Sequence, residues 1–240
     1  MLRRYAGKPV TPTVHSGGMS EHTTPVHISV VLDRSGSMTS IADDIVGGFN
    51  TFLAEQRRQP GGGRITLVQF DGQDPFELLI DGDDLTDAAD LDPVRYLPRG
   101  STPLLDAVGH MIARIDQGVL ARADDGLPIE DQIVLIVTDG YENASHEFDY
   151  ATVGGLIETR RSRGWVFTFL GVDEASIRDG ALMRVSAANT ARWQKSGKGS
   201  KELFDRLSTA TSGYRSMSAE QKWSTKDRFL EGTEEKKEGE

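Results

Sequence analysis

The chain has no cysteine. Disulfides, thiolate-bound metals, iron–sulfur clusters and a cysteine nucleophile are thereby excluded. It also lacks any apolar run near the roughly 20 residues that a membrane-spanning helix needs. The stretch Met1–Ser20 carries Arg3 and Arg4 early but has no apolar segment behind them, so it does not read as a secretory signal. Basic residues are in deficit: Lys and Arg total 27 against 37 Asp and Glu, a formal net charge of −10. That balance disfavours nucleic acid and anionic membrane surfaces as partners. No internal repeat is visible. The lack of thiols suits a reducing compartment, and the expected location is the cytoplasm.

What is present is apolar sequence in blocks. With 240 residues and 37% hydrophobic content, the chain is long enough for one well-covered core. Residues 1–24 are rich in Gly, Pro, Ser and Thr and read as a disordered leader. Residues 25–215 form the expected domain. Residues 216–240 are charged with mixed sign and read as a disordered tail.

Inside the domain, apolar runs alternate with helical periodicity. Val26, Ile28, Val30, Val31 and Leu32 mark a first strand. Ile41, Ile45, Phe49, Phe52 and Leu53 recur at helical spacing, and Pro60 and the glycines behind it end that helix. The runs 65–70 and 76–80 flank a short link containing Asp71-Gly72-Gln73-Asp74 and predict a hairpin. Thr102 reads as an N-cap with Pro103 at the first helical position, ahead of a helix through Leu104, Leu105, Val108, Met111, Ile112 and Ile115. Ile133–Val137 is continuously apolar, as in a strand covered on both faces. Helices over 150–163, 174–185 and 200–210 and strands over 165–170 and 191–193 complete the pattern. The expected fold class is α/β: a Rossmann-like, doubly wound, mostly parallel sheet with one antiparallel edge strand and helices on both faces.

On such a sheet, ligands bind at the carboxyl ends of the strands, at the topological switch point. Three segments place oxygen-bearing side chains there. Asp33-Arg34-Ser35-Gly36-Ser37 follows the first strand, and Asp139-Gly140 follows the run ending Val137-Thr138. Thr102 lies in Arg99-Gly100-Ser101-Thr102-Pro103. All the candidate ligands are hard oxygens and few are charged, a set that suits a small cation such as Mg²⁺, or Mn²⁺. Taken singly, each segment is an ordinary turn or cap; their joint occurrence in order carries the signal. Glu142 and Asn143 follow closely enough to shape the rim of such a site.

These phrases resemble the metal-ion-dependent adhesion site (MIDAS) of von Willebrand factor A (VWA) domains of the bacterial intracellular type. The likeness extends over about Val26–Ala210. It implies that Ser35, Ser37 and Thr102 bind the cation directly, while Asp33 and Asp139 hold it mainly through waters or hydrogen bonds to its ligands. It further implies a protein–protein binding module, not an enzyme, in which an Asp or Glu carboxylate of another protein completes the coordination. Family members work with AAA+ ATPases or stress-response assemblies, and such a partner is the family-level expectation. The rival readings are a metal-dependent hydrolase, with Asp71, Asp74, Asp106 or Glu142 supplying carboxylates, and a metal-free scaffold.

Other motifs fail on their own chemistry. Asp81-Gly82-Asp83-Asp84 begins like a calcium loop, but Leu85 and Thr86 stand where an oxygen ligand and a Gly belong; a solvated loop is expected. Gly197-Lys198-Gly199-Ser200-Lys201 lacks the Walker spacing and reads as a flexible linker. His146-Glu147 has no second His at zincin spacing, and His110 reads as a packing or surface residue.

Overall fold

Strand β1 (Val26–Asp33) is buried along its whole length, and its Val, Ile and Leu residues suit a strand covered on both faces. A computed structural model describes residues 24–233. Around β1 the chain builds β2 (Gly63–Phe70), β3 (Glu77–Asp84), β4 (Asp131–Val137), β5 (Val166–Gly171) and β6 (Thr190–Arg192) into one sheet of order β3-β2-β1-β4-β5-β6. Every neighbouring pair is parallel except β2 with β3. The antiparallel edge expected from the short link is therefore present.

Helices α1 (Ala42–Arg58), α2 (Leu104–Asp124), α3 (Tyr150–Arg161), α4 (Glu174–Leu182), α5 (Gly197–Arg215) and α6 (Ala219–Thr225) cover the sheet. Side-chain alternation divides the core in two. Ile28, Val30 and Leu32 of β1 and Ile133, Leu135 and Val137 of β4 face α1 and α5. Val31, Val134 and Ile136, with Phe167 and Phe169, face α2 and α3. Because β1 and β4 are adjacent while the chain leaves β1 for β2 on one side and returns to β4 on the other, the switch point lies between them. Among the described residues no helix is long and apolar enough to cross a membrane.

Several expected boundaries move. A 3-10 turn, Gly36–Ile41, precedes α1. Thr102 is not the cap of α2: Pro103 holds that position, and no side chain caps it. Asp81–Asp84 belongs to edge strand β3, where the Arg114 guanidinium pairs with Asp81. The expected linker at 197–201 opens α5, with Ser196 Oγ accepting from Gly199 N at 3.1 Å. The expected tail differs most. Residues 219–225 form α6, begun by a capping box between Ser218 and Gln221. Phe229 and Leu230 are buried in the core under α1 and α5. The composition hides this because two adjacent apolar residues in a charged run make no periodic pattern. The expected leader lies outside the described residues, except for Thr24.

Candidate functional site

The site is built from loops at the carboxyl ends of β1 and β4 and the loop that enters α2. Asp33 is the last residue of β1 and is fully buried. Its Oδ1 accepts from Ser35 N at 2.6 Å and its Oδ2 from the Thr138 hydroxyl at 2.5 Å. Its backbone carbonyl accepts the buried Tyr96 hydroxyl. Burial pushes the Asp33 carboxyl up to about 6; the Thr138 and Ser35 donors oppose that rise, and the charge of Asp139 adds to it. Tyr96 is likewise raised, by burial and then by the neighbouring Asp33 charge.

The remaining expected residues join in sequence. Ser35 Oγ lies 2.9 Å from Ser37 Oγ, and Ser37 Oγ donates to Asp139 Oδ1 at 2.6 Å. Ser35, Thr102 and Asp139 are buried, whereas Ser37 is exposed and opens the site to solvent. Thr102 enters through its loop: its N–H donates to Asn143 Oδ1 at 2.9 Å, and its carbonyl accepts from Asn143 N at 3.2 Å. Having no cap to form, the Thr102 hydroxyl stays available as a ligand. Gly140 shows where that hydroxyl sits, since a Cβ there would lie 3.2 Å from Thr102 Oγ1 and 3.8 Å from Asp33 Oδ2. The five expected ligands therefore share one small space.

Glycine lets the loops meet. Gly36 N donates to Gly100 O at 3.1 Å. Gly100 has φ 67°, a left-handed conformation that glycine takes without strain. A buried ionic cluster fastens the same loops from behind. Asp71 Oδ2 accepts from Arg34 Nε at 2.8 Å and Arg99 Nε at 3.0 Å, and its Oδ1 accepts the N–H groups of Gln73 and Asp74. Burial alone would raise the Asp71 carboxyl, but these donors and guanidinium charges together hold it below the ordinary carboxylate range.

Glu142 and Asn143 shape the rim by holding backbone. Glu142 accepts from Leu105 N, Ala144 N, Ser145 N and Ser145 Oγ at 2.7–2.9 Å. Asp106 accepts the N–H groups of His146, Glu147 and Phe148. The 140–149 loop is thus latched to the first turn of α2. His110 packs between Phe76 and Phe148, with ring centroids at 5.7 and 5.3 Å.

Some contributors were not singled out from the sequence. Thr138 had a local signal, a hydroxyl directly before Asp139. Trp193 and Lys195 had none. Trp193 Nε1 donates to Thr138 O at 3.2 Å, and Lys195 Nζ lies 2.6 Å from Asp139 Oδ2. That contact is an ion pair with a buried carboxylate oxygen. A buried carboxylate beside three hydroxyls is a hard-oxygen set that fits a divalent cation. Among the described residues no group of three or more His, Asp or Glu side chains is placed to hold a metal. The hydroxyl-rich set is the candidate.

No family model matches the chain, and no curated protein matches it in sequence. Solved structures match it in fold. One is the pilus adhesin SpaC of Lactobacillus rhamnosus GG in its open conformation, with TM-score 0.59 and 13% identity over 79% of this chain and 30% of that one. A von Willebrand factor type A protein of Catenulispora acidiphila aligns with TM-score 0.53 and 17% identity over 79% and 43%. Proximal thread matrix protein 1 of the mussel byssus, with a zinc-occupied MIDAS motif, aligns with TM-score 0.54 and 13% identity over 80% and 47%. The chain spans less than half the length of each of these proteins. At such identities the likeness concerns the fold, and the fold is that of VWA domains.

Proposed function

We propose that this domain is a divalent-cation-dependent protein-binding module. The observation that carries the reading is the meeting of Ser35, Ser37 and Thr102 hydroxyls with Asp33 and Asp139 at the β1/β4 switch point. Ser35, Ser37 and Thr102 would hold Mg²⁺ or Mn²⁺ directly, and Asp33 and Asp139 through waters or hydrogen bonds to those ligands. A bound cation would supply an electrophilic landing point for an Asp or Glu carboxylate of a partner protein. Tyr141, 55% exposed on the same loop as Asp139, offers that partner an apolar contact. A cytoplasmic setting and a partner of the AAA+ ATPase or stress-response type remain part of the proposal.

The carboxylates that a hydrolase would need are committed elsewhere. Asp71 serves the Arg34 and Arg99 cluster, while Asp74, Asp106 and Glu142 accept backbone donors. This favours binding over catalysis. Calorimetric titration with Mg²⁺, Mn²⁺ and Ca²⁺, paired with affinity capture with and without chelator, tests the proposal. Wild type should bind Mg²⁺ or Mn²⁺ and retain its partner only with metal. Thr102→Ala should lose both while melting close to wild type, because its hydroxyl enters no hydrogen bond among the described residues. Partner capture that survives both chelator and Thr102→Ala would overturn it.

A further inference from the structure

Lys195 stands on the segment between β6 and α5, remote in sequence from every candidate ligand. Its backbone is fixed on both sides. Trp193 donates its N–H to Gly171 O at 3.0 Å and its indole N–H to Thr138 O at 3.2 Å, and Ser196 caps α5. The ammonium is thereby delivered to Asp139 Oδ2 at 2.6 Å, while Ser37 takes Oδ1. The Asp139 side chain is fully buried and that of Lys195 is 30% exposed. One partner of the pair is fixed; the other is a flexible chain able to swing into solvent.

We infer that Lys195 is a tethered competitor of the divalent cation, which keeps metal affinity low until a partner carboxylate arrives. The inference rests on the metal-binding reading above. A divalent cation and an ammonium drawn to one carboxylate repel each other, and a buried setting screens that repulsion little. The charges also fail to balance. Asp33 and Asp139 would neutralise a divalent cation, and Lys195 leaves one positive charge in excess. An incoming carboxylate removes that excess, whereas a neutral amide or hydroxyl does not. Lys195 thus disfavours the metal-loaded free domain and selects for an anionic partner group.

Mn²⁺ binding, followed by calorimetry and by the electron paramagnetic resonance signal of free Mn²⁺, tests this with and without acetate as the carboxylate probe. Lys195→Gln and Lys195→Met, the second keeping an apolar stem of similar length, remove the charge; Lys195→Arg retains it. Both neutral variants should bind Mn²⁺ about tenfold more tightly than wild type and gain less from acetate. Lys195→Arg should behave as wild type. In metal-free buffer the neutral variants should melt lower, since Asp139 loses its counter-charge, and Mn²⁺ should raise their melting temperature more than that of wild type. Equal or weaker Mn²⁺ binding by a neutral variant that folds, with wild type binding normally, overturns this inference alone. If neither wild type nor the variants bind Mn²⁺ at millimolar levels, the metal-binding reading fails and this inference with it.

Discussion

At the scale of single residues, buried polar groups set the behaviour at both ends of the sheet. His27, at the amino end of β1, is 6% exposed and contacts Gln132 Oε1 at 3.1 Å and Thr66 Oγ1 at 2.8 Å. Burial, assisted by the Arg64 charge, lowers its pKa to about 4. The unfolded chain therefore takes up a proton near pH 6.5 that the folded protein refuses. Stability from this residue is complete above about 6.5, falls as the pH drops, and levels off below about 4. The full loss is about 3 kcal/mol. Urea denaturation across that range should show it, and His27→Gln should flatten the slope. An unchanged slope in the variant would assign the acid sensitivity to another group. At the opposite end, Thr102 shows what a residue-level reading misses. A Thr before a Pro looks like a cap, and only the position of Asn143 reveals that the loop is held by other means.

At the scale of elements, the loops at the site are fastened by side chains that look uncommitted in the sequence. Asp106 lies on the first turn of α2 and accepts three consecutive N–H groups from residues 146–148. Asp106→Ala should destabilise the domain by about 1–3 kcal/mol, the penalty of unpaired backbone donors. It should also weaken Mn²⁺ binding, because the same loop carries Asp139; calorimetry would separate the two effects, and intact metal affinity would show that the latch does not position the site. The α1–α5 contact is another such joint. A Cβ at Gly48 would lie 2.2 Å from the ring of Phe204, which is itself buried. Gly48→Ala should cost about 1–3 kcal/mol by overpacking, read as a lower urea midpoint, and Phe204→Leu in the same chain should restore part of it. Strands and most helices were legible because their apolar periods are long. The entry to α2 was not, since no side chain caps it and the loop before it is held by Asn143.

At the scale of the whole molecule, α6 and the residues behind it are part of the folded unit. Leu230 is fully buried and Phe229 is 5% exposed. Lys222 reaches back to Asp131 Oδ2 at 2.8 Å and Thr24 O at 3.1 Å, bringing the end of the described chain against its beginning. Leu230→Ala should therefore lower stability by about 2–5 kcal/mol, measured by thermal or urea denaturation; a change near zero would return this segment to the status of a loose tail. The sequence by itself determined the sheet and its antiparallel edge, and it placed the five candidate site residues at strand ends and a helix entry. Each rests on local information: an apolar period, a short link, or an oxygen-bearing residue placed just after a strand or at a helix entry. Tertiary structure alone decided that Phe229 and Leu230 close the core and that Glu142 and Asp106 are taken up by backbone donors. It alone set the Lys195 ammonium against Asp139. These contacts join segments far apart in the chain, and no local propensity encodes where a flexible charged side chain finds its partner.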